Sequence, residues 1–104
     1  MSRPFSYNDE NFTVVNNILI CHIKIKNDII KNEPIIEVPP EIYRRLMTYS
    51  NVAWVTRDRI NTTSSYATAV GVKVIGNKSY VVCSGAIKAS EFEYITCIYM
   101  LKDI

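Results

Sequence analysis

The C-terminal part of the chain contains three apolar segments in succession, at residues 66–75, 80–87 and 92–101, and each is predicted to be a β-strand. The third segment is apolar at both odd and even positions. Successive side chains of a strand point to opposite faces of its sheet, so a strand with this pattern has to be covered on both faces. The pattern predicts a large apolar sheet surface, which is the strongest indication of function in the sequence.

The N-terminal part of the chain predicts a β-hairpin. Residues 12–15 and 18–26 are rich in apolar side chains and flank Asn16 and Asn17. Asparagine tolerates the positive φ values of a two-residue hairpin turn, so these two residues are the predicted turn. Residues 1–10 are mostly polar and are predicted to form a loose arm ahead of the hairpin.

A short helix is predicted between the hairpin and the C-terminal strands. The segment 35–38 leads into Pro40, and a proline fits the first position of a helix because its missing N–H group has no helical partner there. Residues 41–50 are the predicted helix, followed by a brief strand at 52–56 and a polar loop at 57–65. One stripe of the helix collects Ile42, Leu46 and Tyr49.

These elements together predict a single α+β domain over residues 1–104. The domain consists of an antiparallel sheet of about five strands, made of the N-terminal hairpin and a C-terminal three-stranded meander, with one short helix between them. A chain of 104 residues has the common size of an independently folding unit.

The stretch 35–46, with the sequence IIEVPPEIYRRL, resembles the strand-to-helix entry of ribbon-helix-helix repressors. It is also similar to the IPxEIRxxL stretch of swapped-hairpin antitoxin regulators. A ribbon-helix-helix fold needs a second helix directly afterwards, and residues 52–65 are not predicted to be helical. The resemblance therefore implies a strand, a proline and an amphipathic helix, and no DNA contact is carried over from it.

The turn positions assign the side chains of the meander to its two faces. With turns at residues 77–78 and 89–90, one face collects large apolar side chains and is the predicted core face. The second face carries small residues on the first two strands beside large residues on the third. The predicted partner-binding surface lies on this second face and consists of Ala67, Ala69, Ile95, Tyr99 and Leu101, with Arg57 and Arg59 as a charged rim.

Two arrangements of the other elements are open. In the first, the helix covers the second face and the hairpin packs on the core face, which gives a closed monomer. In the second, the hairpin extends the same sheet, the helix covers one side, and the other side meets a partner. Burying an apolar side chain is worth about 1.5–3 kcal/mol, and one short helix supplies few apolar contacts. We therefore favour the second arrangement.

The chain offers little material for a catalytic or metal site. It has a single histidine, His22, and its three cysteines, Cys21, Cys83 and Cys97, are too widely spaced for a C-x-x-C motif. Cys21 and His22 are neighbours in a predicted strand, so their side chains leave it on opposite faces. We expect no enzymatic activity, no cofactor, no metal and no small-molecule substrate.

Composition and charge limit the remaining classes of protein. A hydrophobic fraction of 48% excludes general disorder, and a net charge of +2 is too small for a polycationic nucleic-acid-binding face. The N-terminus does not have the pattern of a secretory signal, and no apolar run is long enough to cross a bilayer. Cysteines placed within predicted strands fit a reducing compartment. We expect a cytoplasmic protein that does not enter a membrane.

The predicted function is that of a small non-enzymatic protein-binding module, which either self-associates or binds a partner protein. Candidate roles are a phage or mobile-element accessory protein, an inhibitor or an immunity-like protein, and the alternative is a small virion or other assembly component. A weak nucleic-acid-binding protein is a further alternative, although the low net charge argues against it. Its contacts would be Arg44, Arg45, Arg57 and Arg59.

Overall fold

Eight antiparallel strands form one sheet in the computed structural model, which describes residues 5–57 and 66–103. The helix α1 (Pro40–Tyr43) lies between the fourth and fifth strands in sequence. The strand order across the sheet is β1-β2-β3-β8-β5-β6-β7-β4, and the sheet curves into a half-barrel. The strands are β1 (Tyr7–Asn8), β2 (Phe12–Val15), β3 (Ile18–Lys24), β4 (Ile36–Val38), β5 (Ser50–Thr56), β6 (Tyr66–Ile75), β7 (Lys78–Cys83) and β8 (Tyr94–Met100).

A sheet-rich architecture with a helix in the middle of the chain is confirmed, but the prediction of about five strands is wrong. β1, β4 and β5 join the sheet in addition to the hairpin and the C-terminal strands. Part of the predicted loose arm becomes β1, because Tyr7 and Asn8 pair with β2. The brief strand predicted at residues 52–56 becomes β5, which runs through the middle of the sheet between β8 and β6.

The N-terminal hairpin forms as predicted and extends the main sheet. Asn16 and Asn17 have φ values of 52° and 61°, which place both residues in the left-handed region that a two-residue turn requires. β3 pairs with β2 on one side and, along all of Ile18–Lys24, with β8 on the other. The hairpin therefore extends the same sheet, as in the second of the two open arrangements, and does not pack on the core face as in the first.

β8 occupies a different position from the predicted one. It does not form a hairpin with β7 but lies between β3 and β5, and the connecting segment leaves the sheet to form a bridge between Ile87 and Ile29. In this position Ile95 and Tyr99 face the core, whereas Ile98 and Met100 on the other face of β8 are 52% and 53% exposed. Because Trp54 of β5 lies opposite both Thr96 and Ala67, the even-numbered residues of β8 share a face with Ala67.

β6 and β7 form the expected hairpin with a shifted turn. The turn is at Gly76 and Asn77, so that Ile75 pairs with Lys78. Gly76 has a φ of 65°, a conformation that glycine adopts without steric cost. The shift changes the pairing by an even number of residues, and each side chain therefore stays on the face that was predicted for it.

The helix predicted at residues 41–50 is much shorter in the structure. It begins at Pro40, as predicted, but ends at Tyr43. The backbone then leaves the helical path because Met47 donates a hydrogen bond to Met100 and Arg45 accepts one from Lys102, at N···O distances of 3.1 and 2.6 Å. These bonds fix the chain after α1 against the end of β8. The segment between β4 and β5 thus crosses the sheet mainly as irregular structure.

The core lies on the inner face of the half-barrel. Alternate side chains of the long strands point into it, and the crossing segment covers it with Ile42 and Leu46, which are 0% and 1% exposed. The bridge between Ile29 and Ile87 closes another side. The sheet surface opposite this core is called the outer face below. The largest fully buried side chains of the strands are Phe12, Leu19, Cys21, Val55, Val81, Cys83, Ile95 and Tyr99.

Candidate interaction face

The outer face of the sheet carries a patch of large apolar side chains that are open to solvent. They come from neighbouring positions of β2, β3, β8 and β5, and no described element covers them. Their exposed fractions range from 37% for Ile18 to 59% for Val52 and Trp54. We call this set the outer apolar patch, and it consists of Val15, Ile18, Ile20, Val52, Trp54, Ile98 and Met100.

The strand pairings make the outer apolar patch continuous. Ile18 lies directly opposite Met100, and Ile20 lies directly opposite Ile98. Directly opposed side chains of antiparallel strands are within contact distance, so these pairs form one surface across β3 and β8. The surface continues through Val52 of β5 towards β6.

Small side chains border the patch on the β6 side. Val52 is opposite Ala69, and Trp54 is opposite Ala67. Both alanines are exposed, so the tall Trp54 ring stands beside a low shelf on the neighbouring strand. Tryptophan is one of the residue types enriched among the residues that contribute most to binding at the centre of protein interfaces.

The predicted partner-binding residues are divided between the two faces. Ala67 and Ala69 are exposed on the outer face, and Arg57 is exposed directly after β5. Arg59 lies outside the described residues. The other members, Ile95, Tyr99 and Leu101, are 0%, 1% and 3% exposed and belong to the core, so the prediction that they form a surface is wrong.

The physical reason is the position of β8. As the third strand of a meander it would present Ile95 and Tyr99 on the same side as Ala67. Placed between β3 and β5, it turns these residues inward and turns Ile98 and Met100 outward. The pairing partners of a strand determine which of its side chains point to the core. The alternation of side chains within the strand does not reveal these partners.

Sequence reasoning missed the main members of the outer apolar patch. In a three-stranded meander Ile98 and Met100 belong to the predicted core face, and the sequence pattern favours Trp54 as a core residue of a short strand. The signal that could have identified them is present in β5, where Ala53 and Val55 alternate with Val52 and Trp54. Odd and even positions of β5 are both apolar, as they are in β8. Of these four residues, only Ala53 and Val55 are buried.

One end of the outer face is polar. The His22 ring stacks on Tyr94 with a centroid distance of 4.7 Å and an interplanar angle of 17°. Its Nδ1 atom is 3.0 Å from the hydroxyl oxygen of Thr96, at hydrogen-bonding distance. His22 and Cys21 leave β3 on opposite faces, as predicted, with His22 exposed and Cys21 buried.

The described residues do not assemble a metal site. Among residues 5–57 and 66–103, no group of three histidine, cysteine or acidic side chains is placed to hold a metal ion. All three cysteines are buried thiols without a disulfide bond. No helix within the same ranges has the length and apolar character needed to cross a membrane.

The arginines suggested as nucleic-acid contacts have different surroundings. The Arg45 guanidinium lies 3.9 Å from the centre of the Phe5 ring and donates a hydrogen bond to the Glu41 carbonyl at 2.8 Å. Arg45 is therefore engaged within its own chain, whereas Arg44 and Arg57 are exposed.

Comparison with protein-family models, with curated proteins and with solved structures finds no match for this chain.

Proposed function

We propose that the protein is a non-enzymatic interaction module that self-associates by packing the outer apolar patch against the same patch of a second copy. The observation that carries this proposal is the exposure of Trp54, Val52 and Ile98, each more than half accessible on one continuous sheet face. Soluble proteins rarely leave large contiguous apolar surfaces uncovered unless these surfaces bind something.

The area of the patch supports a second copy as the occupant. The exposed fractions of its members correspond to roughly 700 Å² of accessible surface, close to the ~800 Å² per partner of a standard protein–protein interface. Two copies that pack these surfaces together would bury an area sufficient for a specific dimer. Sheet faces pack readily in this way, with their side chains interdigitating.

The charge distribution also supports a self-complementary contact. Among the described residues, charged side chains on this face stand at its margins, with Lys24 at the end of β3 and Lys73 towards the end of β6. Two identical surfaces with a charged centre would repel each other. The centre of the outer apolar patch is uncharged, so two copies of it can meet without this repulsion.

Shape gives the contact a specific geometry. In a symmetric dimer each patch contacts its own equivalent, so a protruding residue needs a low area nearby on the same surface. Trp54 is the protruding residue, and the exposed Ala67 and Ala69 form the low area. Because this low area borders the patch, the Trp54 ring has room beside it when the two faces pack together.

Sedimentation equilibrium of the purified protein tests the proposal. We expect a dimer or a closed higher oligomer, and we expect Trp54→Lys and Ile98→Lys to weaken association by at least about thirtyfold, because they place charges in the centre of a desolvated contact. Ile30→Lys is the matched control, since Ile30 is 57% exposed but lies outside the outer face.

Two results would contradict self-association through this face. One is a wild-type protein that stays monomeric up to millimolar concentration. The other is an oligomer that Trp54→Lys leaves unchanged while its circular dichroism spectrum and urea midpoint match those of the wild type. In the first case the patch would have to be covered by a different protein, and the proposal of a homo-oligomer would be rejected.

A further inference from the structure

A groove of about 510 Å³ lies on the side of the sheet opposite the outer apolar patch, beside the turn of the β6–β7 hairpin. The groove is bounded by β4, α1 and this hairpin. Its volume lies within the range of small-molecule sites, about 300–1,000 Å³. The side chains that decide its chemistry are Val38, Pro40, Tyr43, Arg44, Val74 and Lys78.

The floor of the groove is apolar because the hairpin extends past the segment that covers the core. Val70, Val72 and Val74 occupy successive inward positions of β6. Val70 is 3% exposed, Val72 is half-buried and Val74 is 53% exposed. The segment between β4 and β5 therefore covers the start of this row of valines but not its end. Val74 is thus an inward-facing apolar side chain with open space above it.

One positive charge at the groove is free to bind a ligand. The Lys78 ammonium lies 3.7 Å from a carboxylate oxygen of Glu37, which partly neutralises it. The exposed Arg44 guanidinium has no ion-pair or hydrogen-bond partner among residues 5–57 and 66–103. A planar guanidinium binds a carboxylate through two parallel hydrogen bonds.

We propose that this groove binds an aliphatic monocarboxylate, a small molecule of the fatty-acid type. Its carboxylate binds Arg44, and its hydrocarbon chain lies on Val74, Pro40 and the Tyr43 ring. The apolar floor contributes most of the binding free energy, and the arginine determines the orientation and the sign of the charge. This ligand site is separate from the outer apolar patch and does not depend on the proposed self-association.

Titration of the protein with decanoate, followed by two-dimensional NMR, tests the site. We expect shifts centred on Val74 and Tyr43 and a dissociation constant of about 1 mM, as is typical of a ligand with a dozen heavy atoms and average efficiency. Decylammonium, which has the same chain and the opposite charge, should bind at least about fivefold more weakly, because Arg44 repels it.

Arg44→Gln should weaken decanoate binding about fivefold and leave the decylammonium affinity equal or higher. Arg57→Gln is the matched control, because it removes an exposed positive charge outside this groove and should leave decanoate binding unchanged. Val74→Asp should abolish binding, and because Val74 is exposed we expect the urea midpoint to stay close to that of the wild type.

The proposal is overturned if the two amphiphiles bind equally well, if Arg44→Gln and Arg57→Gln have the same effect, or if the shifts map to the outer apolar patch. Repeating the titration on Trp54→Lys separates the two proposals. Unchanged decanoate binding by this variant is the expected result, whatever its oligomeric state. Loss of binding would show that the ligand occupies the oligomer interface, which would also overturn the groove assignment.

Discussion

Cys21 and Cys97 lie directly opposite each other in the β3–β8 pairing, and both thiols are enclosed in the core, with 1% and 3% exposure. A hydrogen bond between the two side chains and burial away from water raise the pKa of Cys21. The same hydrogen bond lowers the pKa of Cys97. A thiol has to be both deprotonated and accessible to react, so burial protects both residues and the raised pKa adds to the protection of Cys21 alone.

We expect the cysteines of the native protein to react with iodoacetamide only when the structure opens. For a domain of ordinary stability, this makes alkylation at least about a thousandfold slower than in the unfolded chain. Mass spectrometry of native and urea-unfolded samples at the same pH measures both rates. Fast labelling of Cys21 or Cys97 in the native protein would show that β3 and β8 separate readily.

Tyr99 provides a second prediction, because its hydroxyl group is buried and has no hydrogen-bond partner among the described residues. A buried hydroxyl without a partner costs about 1–3 kcal/mol. Replacing it with hydrogen removes this cost and leaves the ring in place, so we expect Tyr99→Phe to raise the free energy of unfolding by about 1 kcal/mol. Urea denaturation measures the change, and Tyr49→Phe, at a residue that is 48% exposed, is the control.

The same side chain makes stability depend on pH in alkaline solution. Burial, with a smaller effect from the neighbouring cysteines, raises the pKa of Tyr99 above its ordinary value of 10.0. The unfolded chain therefore loses this proton first, and the stability that is fully present below pH 10 falls as the pH rises further, by up to about 1.4 kcal/mol per pH unit. Tyr99→Phe should show a shallower fall than the wild type. Parallel curves for the two proteins would contradict the assignment.

The segment that crosses the sheet supplies a third prediction. Ile42 is fully buried although the helix that carries it has only four residues. We expect Ile42→Ala to lower the free energy of unfolding by about 2–5 kcal/mol, because it leaves a cavity in the segment that covers this part of the core. Ile30→Ala, at a residue that is 57% exposed, should change it by less than about 0.5 kcal/mol. Equal effects in urea denaturation would mean that α1 does not pack as described.

The N-terminal hairpin turn supplies a fourth prediction. Asn16 is exposed and has a φ of 52°, a conformation that costs a residue with an ordinary side chain about 1–2 kcal/mol. We expect Asn16→Ala to destabilise the protein by about 1 kcal/mol and Asn16→Gly to leave its stability nearly unchanged. Thermal unfolding of both variants makes the comparison. If alanine and glycine have the same effect, the turn adopts a different conformation in solution.

Local patterns predicted much of this fold correctly. A turn or a helix start depends on a few neighbouring residues, so short-range chemistry is enough to predict it. The features predicted in this way are the Asn16–Asn17 turn, the bounds of β6, the start of the helix at Pro40 and the strand after the helix. The end of the helix could not be predicted in this way. It is determined by two backbone hydrogen bonds, from Met47 to Met100 and from Lys102 to Arg45, whose partners are far apart in the sequence.

The sequence predicted an apolar sheet face at this end of the chain, but most of the large residues assigned to that face lie in the core. The apolar pattern on both sides of residues 92–101 correctly indicated that one side would lie on the core and that the other would not be polar. The choice between Ile95 and Ile98 as the outward residue depends on whether β8 pairs with β7 or with β5. Both pairings satisfy the same local pattern, and only the packing of the whole sheet distinguishes them.

The two outermost strands of the sheet, β1 and β4, contain only two and three residues. An unpaired strand of this length offers few free backbone groups for another chain to extend, so growth of a continuous intermolecular ladder is unfavourable. Association through the edges of the sheet is therefore less favourable than side-chain contacts between sheet faces. The short outermost strands thus separate the exposure of an apolar face from the edge-to-edge pairing that leads to fibrils.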